Sequence, residues 1–373
     1  MKTIRDLDVK NKTILVRVDY NVPLKDGRIE NNLRIRASLP TLKYLLDHGA
    51  KRLILISHLG RPDGAPDPAF SLSPVVEDLR KLLAEELPEF KDETKLGFYP
   101  LPAVKPTNAG PTTSAGSASA TISIPDFVKV ALLENLRFDP GEKANSADFI
   151  KSIIDATGAE AFVQDGFAVV HRAHASTDAV KNFLPVYAGL LVEKEVNNLS
   201  AVLNAEAPGK KLLIIGGAKV EDKEPLIAKL APDFDCVFVG GKIAANGYEA
   251  TLPKVLVADD FDEDSAGRKL DIGPLSAGQL AGLIIDSDLI IWNGLLGYAE
   301  DPAYATSSTL AAELIGEKTT ATTIICGGDT TGFVENLMRE HPNLSYSLVS
   351  TGGGAALEFL LGKTLPGLAA IES

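Results

Sequence analysis

Two lysines follow a pair of glycines in the stretch Gly216–Lys223. The preceding run, Leu212–Ile215, is short and apolar, as expected of a strand buried on both faces of a parallel sheet. If a helix begins near Ala218, Lys219 and Lys223 lie four residues apart on one face of its first turns. Cations are unfavourable at the positive end of a helix unless an anion binds among them. The stretch predicts a phosphate site, although alone it fits two solvated lysines equally well.

The second half of the chain repeats this arrangement of a short apolar run followed by glycines. The glycine-rich segments that follow such runs are Gly240–Gly241, Asn293–Glu300, Cys326–Thr330 and Ser350–Ala355. Glycine allows sharp turns and leaves backbone amides accessible to a ligand. Several such loops at one sheet edge are typical of a polyphosphate cradle.

The first half instead places charged and polar side chains after its apolar runs. Thr13–Val18 precedes Asp19, Tyr20 and Asn21, and Arg52–Ser57 precedes His58–Arg61. In open α/β sheets, ligands bind at the carboxyl ends of the strands. Ten of the twelve arginines lie within residues 1–185. Because arginine binds phosphate and carboxylate with a planar fork, this half is expected to bind an anion.

Composition and charge exclude several classes of protein. The net charge is −13, and residues 1–185 carry 24 basic and 24 acidic residues, so the whole acidic excess lies after them. An acidic chain without a segment dense in lysine or arginine argues against nucleic acid as a partner. No apolar run is long enough to span a membrane, and Met1–Lys10 does not resemble a signal peptide. Cys236 and Cys326 each lie in a strand-like run, which favours buried thiols in a reducing cytoplasm.

The elements that must position these residues alternate between strand and helix. This alternation predicts an α/β fold with doubly wound parallel sheets. Pro185–Leu203 is predicted to be one long helix where the charge balance changes. Phe98–Pro125 is rich in Pro, Gly, Ser and Thr, and is predicted to be a long surface loop.

Four short motifs do not match the patterns that they resemble. Gly362-Lys363-Thr364 would need a glycine at position 357 to end a Walker A loop, and Leu357 stands there; the same residue breaks a dinucleotide fingerprint at Gly352. His171-Arg172-Ala173 lacks the aspartate of a protein-kinase catalytic loop. His171 and His174 have no further ligand spaced to complete a zinc site.

Taken together, these stretches resemble the phosphoglycerate kinase family. The matching segments follow the family's order over almost the whole chain: Arg17–Pro23, Asn31–Ile35, Ser57–Gly64, Leu132–Phe138, His171–His174, Gly216–Lys223, Asp271–Ser276, Trp292–Gly294, Gly327–Thr330 and Ser350–Leu357. The resemblance implies two Rossmann-like domains, each a parallel sheet flanked by helices, joined by a hinge helix. It implies a 3-phosphoglycerate domain at residues 1–184, a nucleotide domain at 185–361, and a segment, 362–373, that packs back on the first domain.

The resemblance also implies a reaction, its ligands and its residues. A glycolytic kinase would move a phosphoryl group reversibly between 1,3-bisphosphoglycerate and ADP with Mg²⁺, forming 3-phosphoglycerate and ATP, as a cytoplasmic monomer. Arg34 and Lys219 would be catalytic. The substrate-binding residues would be Asp19, Tyr20, Asn21, Arg34, His58, Leu59, Gly60, Arg61, Arg137 and Arg172. The nucleotide-binding residues would be Lys219, Lys223, Asn293, Glu300, Gly327, Gly328, Asp329 and Thr330, with Asp329 beside the metal.

The chain departs from the family pattern at a few positions. Gln164 stands where asparagine is usual, Lys242 where a third glycine is common, Leu295 where a proline usually stands, and Cys326 where a glycine run begins. Two other functional hypotheses remain compatible with part of the sequence. A catalytically inactive relative that binds nucleotide would be expected to lose Lys219, Arg34 or Asp329. A nicotinamide-dependent oxidoreductase would need the dinucleotide fingerprint that is missing.

Overall fold

The computed structural model of the chain describes residues 1–103, 122–203, 209–218 and 220–372, with only the backbone of residues 202–203 and 220–222. The chain divides into two compact units. The first holds Met1–Lys194 together with Thr364–Ser373, and the second holds Glu195–Lys363.

The first unit is built on a six-stranded parallel sheet with the order β5-β6-β4-β1-β7-β8. Its central strands are apolar and buried along their whole length, since helices cover both faces of a parallel sheet. The strands are β1 (Thr13–Arg17), β2 (Leu24–Lys25), β3 (Arg28–Ile29), β4 (Arg52–Ile56), β5 (Leu96–Tyr99), β6 (Val130–Leu133), β7 (Ala161–Gln164) and β8 (Val186–Ala188), of which β2 and β3 form a separate hairpin. The helices are α1 (Leu33–Asp47), α2 (Ser73–Glu86), α3 (Pro140–Lys143) and α4 (Ala147–Thr157), followed by α5 (Leu190–Leu203).

The second unit repeats the design with a parallel sheet in the order β11-β10-β9-β14-β15-β16. A separate antiparallel hairpin joins β12 to β13. The strands are β9 (Lys211–Ile215), β10 (Cys236–Val239), β11 (Val255–Val257), β12 (Phe261–Glu263), β13 (Lys269–Ile272), β14 (Leu289–Asn293), β15 (Thr322–Cys326) and β16 (Leu348–Val349). The helices are α6 (Val220–Leu230), α7 (Gly241–Ala245), α8 (Pro274–Asp286), α9 (Thr306–Glu317), α10 (Gly328–Glu340) and α11 (Gly354–Leu360), and α12 (Pro366–Glu372) returns to the first unit. The predicted fold class, two α/β domains with parallel sheets, is confirmed.

At the start of helix α5, two buried polar side chains accept hydrogen bonds from backbone N–H groups of its first turn. Asp165 accepts the backbone N–H of Leu191 at 3.0 Å and the hydroxyl of Thr41 at 2.9 Å, and Thr41 accepts the N–H of Leu190. Such capping offsets the unsatisfied donors of a helix N-terminus. Burial outweighs these hydrogen bonds and raises the pKa of Asp165 to about 8. A Cβ at Gly189 would lie 2.1 Å from the Asp165 carboxylate, so this start requires glycine.

Two boundary predictions were wrong. Pro185–Leu203 is not one helix, because Val186–Ala188 pairs with β7 as an edge strand before α5 begins. The predicted loop Phe98–Pro125 starts too early, because Phe98 and Tyr99 belong to β5 and pair with β6. Residues 104–121 of that segment lie outside the described residues. Both errors concern sheet edges, where strands are short and their apolar pattern is weak.

The hinge helix of the resemblance corresponds in position to α5, which contains residues of both units. No helix among the described residues has the length and apolar character needed to cross a membrane.

Candidate functional site

In the first unit, the carboxyl ends of four neighbouring strands bring basic side chains together. Arg17 ends β1, His58 follows β4, Arg137 follows β6 and Arg172 follows β7. The positive charges of Arg17, Arg137 and Arg34 all act on His58. We call Arg17, Arg34, His58, Arg137 and Arg172 the basic cluster. Cations held this close repel one another unless an anion or a carboxylate compensates them.

Asp19 and Arg34 form an ion pair inside this cluster. Asp19 is almost completely buried and also accepts the N–H of Asn21, whereas the Arg34 side chain keeps about a third of its surface exposed (32%). The Asn21 amide oxygen accepts the N–H of Gly60 at 2.8 Å, which joins the loops after β1 and β4. Arg34 is therefore held by a buried carboxylate while part of its side chain stays exposed to solvent.

Arg137 also contacts the loop after β4. Its Nη1 donates to the carbonyl of Gly60 at 2.7 Å. Burial, followed by the charges of Arg17 and Arg172, lowers the pKa of Arg137 to about 10. Repulsion of this kind is relieved when an anion binds, so the cluster favours a phosphate or carboxylate ligand.

Sequence reasoning missed two buried polar residues that support the cluster. Asn135 donates to the carbonyls of Leu59 and Phe70 and accepts the N–H of Arg137. Glu142 is fully buried, accepts both the hydroxyl and the N–H of Ser176, and attracts Arg17 and Arg137. Their polarity inside otherwise apolar surroundings could have marked them, but nothing in the sequence shows that they are buried.

The remaining predicted substrate residues take different positions. Tyr20 is fully buried, and its hydroxyl shares a hydrogen bond with Ser38 at 3.0 Å, so its side chain belongs to the core. Leu59 is also buried. Arg61 and Arg172 are exposed, and Arg172 Nε hydrogen-bonds to His171.

In the second unit, the predicted nucleotide residues line one cavity of about 970 Å³. Lys223, Asn293, Glu300, Gly327, Gly328, Asp329 and Thr330 all belong to its wall. Lys219 lies outside the described residues. The hairpin β12–β13 also contributes to the wall through Phe261 and Lys269, which sequence reasoning missed because the hairpin is short and polar.

The cavity is formed where three glycine loops approach one another at backbone contact. A Cβ on Gly294, whose φ is +104°, would lie 2.1 Å from the carbonyl oxygen of Gly216. A Cβ on Gly241, whose φ is +64°, would lie 2.5 Å from the carbonyl oxygen of Leu295. The loops after β10 and β14 therefore need glycine both for conformation and for space.

Side chains then set the details of this cavity. Lys223 donates to the Asn293 amide oxygen, and the Asn293 amide nitrogen donates to Cys326 Sγ at 3.2 Å. Burial raises the pKa of Cys326 to about 11, so it is a thiol at neutral pH. The buried Thr330 hydroxyl accepts the N–H of Gly294 at 2.8 Å, and Trp292 Nε1 donates to the Gly294 carbonyl at 2.7 Å.

Asp329 stands exposed in the first turn of α10, on the cavity wall. Within the described parts of the chain, no group of three or more His, Cys, Asp or Glu could hold a metal ion. A single carboxylate at a phosphate site nevertheless suits Mg²⁺, which is usually bound by one or two carboxylates together with substrate phosphates. The donor set present here fits that mode of binding.

Comparisons with known proteins point to one family. The family model of phosphoglycerate kinase matches residues 4–255 and 245–363. The phosphoglycerate kinase of Akkermansia muciniphila is 37% identical and covers 99% of this chain and 97% of its own length. That of Thermus thermophilus is 38% identical over the full length of both. A solved structure of phosphoglycerate kinase from Coxiella burnetii superposes with a TM-score of 0.73 at 30% identity, covering 99% of this chain and 98% of its own.

The two parallel sheets, the cavity and these full-length matches agree with the resemblance seen in the sequence. The chain belongs to the phosphoglycerate kinase family.

Proposed function

We propose that the chain catalyses reversible phosphoryl transfer between 1,3-bisphosphoglycerate and ADP, giving 3-phosphoglycerate and ATP. The observation that carries this proposal is that each unit has a site of a different kind: a basic cluster in the first and a glycine-lined cavity in the second. The first suits a small acidic molecule with a carboxylate and a phosphate. The second suits the phosphates of a nucleotide. This is the glycolytic reaction of the family.

The chemistry needs little from the protein beyond position and charge. Phosphoryl transfer proceeds in line, with negative charge spread over the equatorial oxygens of the transferring group. The attacking group is a carboxylate in one direction and a nucleotide phosphate in the other, so neither requires a general base. Arg34, held by Asp19, and Lys219 are proposed to neutralise the transferring group. The rest of the basic cluster would orient the acidic substrate.

In the second unit, Lys223 and the amides of the loops after β14 and β15 are proposed to bind the nucleotide phosphates. Asp329 would hold Mg²⁺ together with those phosphates, and the bound ion would supply charge neutralisation at the phosphate oxygens. Glu300 and the hairpin β12–β13 also belong to the cavity wall, and they are proposed to contact the nucleoside.

We further propose that the domains assigned above must close on each other for reaction, with α5 as the hinge. Reacting atoms have to come within about 3–3.5 Å and away from water, which would otherwise hydrolyse the acyl phosphate. Small-angle scattering should show the largest compaction when both ligands are bound. If the enzyme is active but its radius of gyration is unchanged in the ternary complex with a non-reacting nucleotide analogue, closure is contradicted. Monomeric state and cytoplasmic location stay predictions.

A coupled assay for ATP formation from ADP and 1,3-bisphosphoglycerate tests the main proposal. Activity that disappears when Mg²⁺ is chelated supports it. Calorimetric binding of ADP without any turnover would instead support an inactive nucleotide-binding relative.

A further inference from the structure

Arg17 differs from the other members of the basic cluster because its guanidinium makes its hydrogen bonds to buried groups of the protein. The residue is fully buried at the end of β1. Nη1 donates to the carbonyls of Val18 at 2.8 Å and Ile56 at 3.3 Å, and Nη2 lies 3.0 Å from His58 Nδ1. A buried cation is costly, and its Nε has no hydrogen-bond partner within the described residues. Such a side chain is expected to have a purpose other than stability.

The contact between Arg17 and His58 defines where the histidine proton lies. A guanidinium carries five N–H donors and no acceptor. His58 Nδ1 must therefore accept from Arg17, and in a neutral imidazole the ring proton then resides on Nε2. A proton on Nδ1 would set two donors against each other at 3.0 Å.

We propose that Arg17 is a positioning residue that fixes His58 as the neutral Nε2–H tautomer, so that His58 donates a hydrogen bond to an anionic oxygen of the substrate. This inference rests on the proposed function for its ligand, but the tautomer itself does not depend on catalysis. His58 is the group that touches the substrate, and Arg17 acts only through it.

The groups that act electrostatically on His58 all lower its pKa, and each of them is a cation or becomes one on protonation. Arg17 on β1, Arg34 on α1, Arg137 after β6 and His174 after β7 face it, and none of them favours an imidazolium. Burial first, and these neighbours after it, hold the pKa of His58 well below its ordinary value. The nearby carboxylate of Asp19 is already paired with Arg34. A neutral donor also gives the site a contact that does not weaken as the pH rises through neutrality, as binding by an imidazolium would.

The direct test is the tautomer of His58 in the full chain. Histidine labelled with ¹⁵N gives long-range proton–nitrogen correlations that distinguish Nδ1–H, Nε2–H and the imidazolium. The chain has five histidines, and loss of one set of signals in His58→Gln assigns the residue. We expect an Nε2–H pattern that stays constant between about pH 5.5 and 8. A proton on Nδ1, or an imidazolium in this range, overturns the proposal. Neither outcome depends on enzymatic activity, so failure here is distinguishable from failure of the proposed function.

Arg17→Lys then tests whether Arg17 is the cause. Lysine keeps the charge but cannot place donors toward Val18, Ile56 and His58 with one planar group. We expect a second tautomer in the spectrum, and a KM for the acidic substrate that rises about tenfold while the KM for the nucleotide stays the same. Arg36→Lys, an exposed arginine on α1 that faces Glu85, is the matched control. A variant that folds and keeps the wild-type tautomer alone removes the positioning role from Arg17. If the variant does not fold, the wild-type spectrum still decides.

A pair of amide substitutions tests which ring nitrogen contacts the substrate. The glutamine amide reaches the place of Nε2, whereas the asparagine amide reaches only that of Nδ1. We expect His58→Gln to retain more affinity for the acidic substrate than His58→Asn. The reverse order contradicts donation from Nε2.

Discussion

The two sites differ in the part of the chain that would recognise the ligand. In the first unit, side chains would do it: the carboxylate of Asp19 and the carbonyl of Gly60 hold the guanidinium groups of Arg34 and Arg137 in place. In the second unit, the main chain does it, because Gly216, Gly241 and Gly294 bring three loops to backbone contact. The second half of the chain is strongly acidic, whereas the first is neutral. Net charge therefore does not decide where a polyphosphate would bind; local amides and helix ends can outweigh it.

This difference predicts which kind of change each site tolerates. The first should be sensitive to loss of charge and the second to gain of volume.

Arg34→Ala should have the largest effect on activity. It removes a charge that is proposed to act mainly on the transition state, and such losses cost on the order of 10²–10³ in kcat. Steady-state assays at saturating nucleotide measure it, with circular dichroism to confirm the fold. Arg36→Ala, two residues along the same helix and exposed, is the control and should keep normal kcat. A folded Arg34→Ala enzyme with near wild-type kcat removes Arg34 from the catalytic role, and the same test applies to Lys219→Ala.

Gly294→Ala adds one methyl group and no charge, and should be the next most damaging. The new Cβ would meet the Gly216 carbonyl at 2.1 Å in a backbone conformation with φ of +104°. The loop must shift, and displacements near 1 Å at a reacting site cost about 10² in kcat/KM. Titration calorimetry with ADP should show weaker binding, while affinity for 3-phosphoglycerate stays normal. Unchanged ADP binding would mean that the close approach of these loops is not needed.

Substitution of His174 is expected to have a smaller effect, which concerns the pH dependence of stability and only the first unit. Burial, and then the charges of Arg137 and Arg17, lower its pKa to about 4. The unfolded histidine binds a proton near pH 6.5, so the unfolded state takes up more protons below that pH, and stability falls as the pH falls toward 4. Asp165, whose pKa is raised, acts with the opposite sign, so a comparison of variants is needed.

Relative to His174→Gln, the wild type should lose on the order of 1–2 kcal/mol more stability between pH 6.5 and 4.5, after allowance for solvent screening. Hydrogen exchange of the β4 and β7 amides measures this difference. His341→Gln, on the exposed histidine of the second unit, is the control. A difference between wild type and His174→Gln that does not vary with pH contradicts a neutral buried His174.

Gly278→Ala should have the smallest effect and the opposite sign. Gly278 is exposed within α8, away from the cavity wall, and nothing lies within 4 Å of its added Cβ. Alanine in a helix interior is favoured over glycine by about 0.5–1 kcal/mol. Chemical denaturation should show a slightly more stable protein with unchanged kinetics. A loss of activity here as large as that of Gly294→Ala would mean that added volume acts generally, and the contrast between the sites would lose its basis.

The central part of the fold could be predicted from the sequence because parallel strands buried on both faces are continuous apolar runs. β1, β4, β9 and β14 are all of this kind. Strand ends followed by polar or glycine residues then predicted the positions of both candidate sites. The edge strand β8 was missed because it has only three residues and depends on pairing with β7, which is distant in sequence. The hairpin β12–β13 was missed because its strands are short and partly polar.

The interior of each site was harder to predict. Arg17 and Tyr20 lie in the same stretch as Asn21, yet both are fully buried whereas Asn21 is partly exposed. Whether a polar side chain at a strand end faces the ligand or the core depends on neighbours that are distant in sequence: Ile56 and His58 for Arg17, and Ser38 for Tyr20. The local sequence pattern does not predict those contacts.

Intrinsic fluorescence of Trp292 can report on the second site without an added label. It is the single tryptophan of the chain, it is fully buried, and its indole N–H donates to the carbonyl of Gly294. Indole emission depends on the polarity and hydrogen bonding around the ring, so fluorescence excited at the tryptophan band reports on the Gly294 loop and on the second unit alone. The first unit contributes only tyrosine signal. A change at the nucleotide cavity reaches the indole through a single hydrogen bond, from Trp292 to Gly294. Binding of the two ligands can therefore be distinguished in one fluorescence titration.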